Sequence, residues 1–106
     1  MEFINKIELC GYVGNVTIHT VGGTSVARFS LCTEQAYHSS DGTPVIENTW
    51  FNCTAWQSDK IKDLTKIQKG KTVHLTGRVK MQQYTAQEGN RYIWEVLCQE
   101  LEVLPK

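Results

Sequence analysis

The stretch from Val45 to Trp56 reads Val-Ile-Glu-Asn-Thr-Trp-Phe-Asn-Cys-Thr-Ala-Trp. It is rich in β-branched and aromatic residues and has neither glycine nor proline, so it is predicted to be a strand. A strand sends alternate side chains to opposite faces. Phe51, Cys53 and Ala55 then share one face, small and apolar enough for a core. Trp50, Asn52, Thr54 and Trp56 share the other. Two tryptophans with polar residues between them suit neither an ordinary core nor an ordinary wet surface. Two readings fit: the indoles cap a core or a subunit interface, or they form a surface on which flat molecules stack.

The rest of the chain supplies strands for this one to pair with. Phe3 to Val13 alternates, with Phe3, Ile7, Leu9 and Val13 on one side and Lys6, Glu8 and Tyr12 on the other. Gly11 and Gly14 permit a bulge or tight bend. Val16 to Val21 continues the strand, and Val21-Gly22-Gly23-Thr24 is a turn. Ser25 to Ala36 is a second strand, with Ala27, Phe29 and Leu31 inward and Arg28, Ser30, Cys32 and Glu34 outward. Ser39 to Pro44 has hairpin chemistry, with Asp41-Gly42 supplying a positive φ. After the Trp50 strand, Ser58 to Lys69 is predicted to be a helix. Ser58 is its N-cap, Ile61, Leu64 and Ile67 its apolar stripe, and Gly70 its C′ residue. Lys71 to Met81 is a fourth strand, Gln82 to Asn90 a polar hairpin with Tyr84 at its root, and Arg91 to Leu104 a fifth strand.

A chain of 106 residues is one domain, here spanning 1–106. Five strands with one helix between the third and fourth is the order of the OB-fold, an all-β Greek-key barrel. Its usual ligand surface is the face of strands 2 and 3 with the loops joining strands 1–2 and 4–5. Tyr37, Trp50, Trp56 and the Tyr84 hairpin fall there.

Basic and acidic residues balance at 11 each, so net charge selects no partner. Their distribution is uneven: Asp59 to Lys80 is mostly basic, and the end of the chain is mostly acidic. The four cysteines, Cys10, Cys32, Cys53 and Cys98, lie in apolar runs with no C-x-x-C pair. They read as buried free thiols of a reducing compartment. With no signal-like N-terminus and no apolar run of membrane-spanning length, a cytoplasmic location is expected. The acids Asp41, Glu47, Asp59 and Asp63 are scattered. His19, His38 and His74 lack sequence partners for catalysis. No metal or cofactor spacing appears, and no enzyme is expected.

Five segments resemble bacterial single-stranded DNA-binding proteins, in the family's order. They are Asn5 to Gly14, Val26 to Thr33, Thr49 to Trp56, Lys69 to Val79, and Arg91-Tyr92 with Glu95-Val96. The likeness covers nearly the whole chain. It implies sequence-independent binding of single-stranded DNA in replication, recombination or repair. Its stacking positions fall on Tyr37, Trp50, Trp56 and Tyr84. It further implies a homo-oligomer, usually a homotetramer and alternatively a dimer. Phe51 stands where the family commonly has histidine, on the face that builds subunit contacts. The chain as given has no Gly/Pro-rich extension or acidic tip, so recruitment of replication proteins through such a tail is not expected. Candidate phosphate contacts are Lys6, Arg28, Arg78, Lys80 and Arg91. Trp94 is expected in the core or a subunit interface. Primosomal replication protein N, a short OB protein that bridges replication proteins, is the alternative; its resemblance is weaker because the aromatic platform positions are filled here.

Overall fold

The computed structural model describes residues 1–105. Five strands follow one another: β1 (Ile7–Val21), β2 (Thr24–His38), β3 (Pro44–Trp56), β4 (Thr72–Ala86) and β5 (Gly89–Val103). They close into a barrel in the order β1-β2-β3-β5-β4, with β4 returning to β1. All pairings are antiparallel except a short parallel contact of β3 with β5 at Cys53–Val96 and Thr54–Leu97. This is the expected OB-type barrel.

One wall cannot be paired on both sides by straight strands, so β1 bends. Its first half, Ile7 to Tyr12, pairs with β4. A bulge between Val13 and Val16 turns the second half onto β2. Asn15 N–H donates to Ser30 Oγ at 2.9 Å across that bulge. The β1–β2 turn is Gly22-Gly23, both at positive φ (58° and 83°), which a two-residue hairpin of this hand requires.

The core is the inward set of the alternation. Val13, Ala27, Phe29, Leu31, Cys53, Ala55, Val73, Leu75 and Val96 are all buried. Ile61, Leu64 and Ile67 are buried with them and stop one end of the barrel. The expected helix from Ser58 to Lys69 contracts to a 3-10 turn at Leu64–Lys66. The reason lies in the spacing. A strict repeat of three drifts off one face of a 3.6-residue helix but lets successive short turns each drop an apolar side chain inward. Asp63, not Ser58, caps the turn by accepting from Thr65 N–H at 3.0 Å. Ser58 instead closes its own turn by accepting from Ile61 N–H.

Four further expectations are corrected. Phe3 precedes β1 and is 90% exposed. The strands flanking the Gln82–Asn90 hairpin do not end at Met81 and Arg91: β4 and β5 stay paired to Ala86 and Gly89. Cys10 is exposed and Cys98 half-buried, although Cys32 and Cys53 are buried and all four are free. Cys98 beside it and its own burial push the Cys53 thiol up, so it stays protonated. Trp94 is 62% exposed, so within one chain it is not core.

The strands are long because two hairpins run past the barrel. The β2–β3 ribbon continues in register to His38–Pro44, and the β4–β5 ribbon to Ala86–Gly89. These arms explain a radius of gyration of 16.0 Å, against about 13 Å for a compact chain of this length. At the β2–β3 tip, Asp41 accepts from Ser39 Oγ and from Thr43 N–H, which lowers its carboxyl to about 2. A depressed carboxyl stabilises the tip above its unfolded value of 3.8, and that contribution is lost as pH falls toward about 2.

Candidate nucleic-acid interface

Residues in direct register share a face, so the strand register builds the site. Across β2 and β3 the outward pairs are Val26–Trp56, Arg28–Thr54, Ser30–Asn52 and Cys32–Trp50. Tyr12 of β1 adds to the last row, since it pairs with Cys32. Trp50 is 55% and Trp56 41% exposed. They stand six residues apart on one strand, about 20 Å at strand rise, so they form separate platforms. Val26 is buried beside Trp56.

The β4–β5 hairpin forms the opposite bank. Thr54–Leu97 and Leu97–Arg78 pairing puts Arg78, Lys80, Gln82 and Tyr84 on the outward face of β4. A groove of about 670 Å³ runs between the two banks. Arg28, Ser30, Asn52 and Thr54 line one side, with Tyr84, Gln82 and Ile93 on the other. Glu95 ties the banks together: its carboxylate accepts from Thr54 Oγ1 and from Gln82 Nε2, each at 3.1 Å. The buried Thr54 hydroxyl is thereby satisfied.

The groove thus brings together Arg28 and Tyr84. Trp50 and Trp56 lie outside its lining, on the same β3 face as Asn52 and Thr54, and Lys80 is paired with Glu95. Others lie apart. Tyr37 pairs with Val45 on the ribbon face opposite to Trp50, near the tip. Arg78 sits on the β4 wall, and Lys6 precedes β1. Arg91 pairs with Tyr84 in register, and its guanidinium donates to Glu88 at 2.8 Å. Both members of that ion pair are more than half exposed, so the bond is weak and exchangeable.

Sequence reading missed three contributors. Tyr12 meets Trp50 edge to face, ring centroids 5.9 Å apart and planes at 85°. The Cys32 thiol beside Tyr12 raises its phenol. Glu95 binds the banks as described. Asn5 grips β4, its side chain donating to Val79 C=O (2.7 Å) and accepting from Val79 N–H (3.0 Å). Tyr12 had an available signal, since alternation already put it outward; the other two needed the register.

Two further surfaces differ in chemistry. A groove of about 500 Å³ on the inward side of the β4–β5 ribbon is lined by Ile7, Phe51, Val79, Tyr92 and Trp94, and touches Trp50. A hollow of about 510 Å³ on the β4–β5 wall carries Glu100, Glu102, His74 and Lys60. There Lys60 pairs with Glu100 at 3.1 Å and His74 with Glu8 at 2.7 Å. Its acidic balance disfavours a polyanion. Among the described residues no three His, Cys, Asp or Glu side chains are placed to hold a metal ion, and no helix is long and apolar enough to cross a membrane.

Comparison with known proteins places this geometry. The model of the single-strand binding protein family matches residues 4–104. Single-stranded DNA-binding protein B of Bacillus subtilis is 32% identical over 81 residues, which cover 76% of this chain and 70% of that protein. Single-stranded DNA-binding protein 1 of Streptococcus pyogenes is 27% identical over 106 residues, covering 97% of this chain and 80% of the relative. The chain spans less of the Enterococcus faecalis relative, 45% of its length at 28% identity. Among solved structures, the Plasmodium falciparum SSB complex with ssDNA superposes with a TM-score of 0.86 at 23% identity, covering 99% of this chain and 98% of that one. A Thermus aquaticus single-stranded DNA binding protein superposes at 0.77 and 17% identity, covering 96% and 51%. At these identities the structural likeness speaks to the fold.

Proposed function

The chain belongs to the single-strand binding protein family, and from that premise we propose that it binds single-stranded DNA without sequence preference, serving replication, recombination or repair. The observation that carries this reading is the pair of exposed indoles on one strand of a barrel face. Unpaired bases offer flat π-faces, and each base–aromatic stack contributes about 1–3 kcal/mol whatever the base. Trp50 and Trp56 provide two platforms on β3, and Tyr84 provides a third from the far bank of the groove that Arg28, Asn52 and Thr54 line. Tyr37, near the ribbon tip on the face opposite Trp50, provides a fourth only for a strand that passes over the ribbon edge.

Arg28 within the groove and Lys80 beside it are the nearest phosphate contacts. Arg78, Lys6 and Arg91 extend the basic track round the β4 side. Each phosphate neutralised in a single strand steepens the salt dependence by about 0.7 in log K against log salt. Duplex DNA keeps its bases stacked on one another and offers nothing to these rings.

The test is a fluorescence titration with oligo-dT and with a duplex of equal length at two salt concentrations. Strong quenching by oligo-dT, none by duplex, and weaker binding at higher salt are expected. Unchanged fluorescence at saturating oligo-dT sinks the stacking reading. Replacing Arg28 by alanine should reduce the salt slope by about 0.7, while an unchanged slope removes it from the phosphate track.

We also propose that the chain works as a homo-oligomer, a tetramer or a dimer. The exposed Trp94 and Tyr92 line one groove with the half-buried Phe51, the kind of clustered apolar surface that marks an interaction site. Ile7 continues it onto the first half of β1, where Ile7 to Gly11 pair only with β4. An apolar groove beside a half-paired strand suits a second copy. Trp94→Glu should lower the mass measured by light scattering without altering the β-sheet circular dichroism. An unchanged mass excludes this groove as the interface.

A further inference from the structure

We propose that Gly14 and Tyr12 fix the pose of Trp50 in the free protein, so that an incoming strand meets a platform already set. The geometry stands by itself; its consequence for affinity rests on the single-strand reading above. Trp50 starts on β3, yet its six-membered ring reaches past β2 to β1. A Cβ built on Gly14 would lie 2.6 Å from Cζ3 and 3.0 Å from Cη2 of that ring. Only a residue without a side chain lets the indole occupy this position. Tyr12, two residues earlier and on the same face, closes a second side with its ring nearly perpendicular to the indole. Beneath both rings lies Cys32, which is buried and pairs with each of them. The indole is thus held at its far end by a neighbouring strand although more than half of it remains exposed.

A tryptophan free to rotate loses side-chain entropy when a base stacks on it, and that loss subtracts from affinity. One already wedged between two strands does not lose it again. Gly14 and Tyr12 are positioning residues in this scheme, because they act through Trp50.

Gly14→Ala separates the roles, since the atoms its methyl would meet are side-chain ends: the Trp50 ring and Ser30 Oγ, 2.6 Å away. The barrel can keep its backbone while the indole must move. The first readout needs no DNA. In a chain whose only tryptophan is Trp50 (Trp56→Phe, Trp94→Phe), Gly14→Ala and Tyr12→Leu should each change the Trp50 near-ultraviolet dichroism and speed its fluorescence depolarisation. Unchanged signals in both variants overturn the proposal.

The second readout is a cycle in otherwise native protein. Gly14→Ala should weaken oligo-dT binding about five- to tenfold, part of one stacking contact. The same change in a Trp50→Ala protein should have under about twofold effect, because coupled residues are not additive. Equal losses in both backgrounds overturn the proposal, as does no loss in the native one. If Gly14→Ala does not fold, Tyr12→Leu runs the same cycle. Failure of Trp50→Ala itself to weaken binding counts against the DNA reading, and the DNA-free spectra then still decide whether the pose is fixed.

Discussion

Replacing Trp50 and Trp56 together by alanine should lower affinity for oligo-dT by about 30-fold or more, from two lost stacks of about 1–3 kcal/mol each. The two effects should add, because sites about 20 Å apart sharing no partner are independent. The fold should survive. Both side chains are about half exposed; Trp56 has the buried Val26 to uncover, and Trp50 the small Cys32, with which Tyr12 is also paired. Uncovering part of that valine costs about 1 kcal/mol, a shift of roughly 4–8 °C in melting temperature. Isothermal titration with a short oligo-dT, alongside a thermal melt, separates the outcomes. An affinity within threefold of the unaltered protein refutes stacking at these indoles. A melt lower by much more than this shift makes them structural instead.

The face holding these rings was legible from alternation alone. Trp50, Asn52, Thr54 and Trp56 share it as expected, and Arg28 is opposite Thr54. A period of two survives burial of one face, which is why five strands and their inward residues could be read. What failed were features that depend on more than one strand. Tyr37 joins the Trp50 platform by family likeness, yet the pairing with Val45 puts it on the other ribbon face. Trp94 reads as core or subunit interface because its strand continues Val96 inward, but the β4–β5 ribbon runs past the barrel there and leaves it 62% exposed beside Ile7 and Phe51, so it is not core of the single chain. The helix was misread because buried residues every third position satisfy a helical template without requiring one. Glu95, spanning Thr54 and Gln82, connects residues far apart in sequence and carries no local signal.

Gly77→Ala should cost about 3 kcal/mol or more of folding stability, the scale of overpacking a site that cannot give way. Alternation places Gly77 inward between Leu75 and Val79, where alanine looks harmless. The barrel makes it costly. A Cβ there would fall on the carbonyl oxygen of Leu97, with the Leu97 carbonyl carbon at 2.9 Å and Cys98 Cα at 3.1 Å. These are backbone atoms of β5 where the β4–β5 register shifts, between Thr76 and Gly77. No rotamer change relieves the contact; β5 must move away, and its parallel pairing with β3 through Val96 and Leu97 closes the barrel. Gly11 is crowded in the same way by the Cys32 backbone, whereas the atoms nearest a Cβ at Gly14 are side-chain ends. With domain stabilities of about 5–15 kcal/mol, Gly77→Ala should lower the melting temperature by roughly 12–24 °C. Gly14→Ala should lower it by far less while losing affinity. Thermal melts of the two variants side by side test whether backbone contact or side-chain contact sets the difference. Equal melting temperatures would mean that β5 yields as readily as a tryptophan ring, and the seam at Gly77 would then not be what holds the barrel shut.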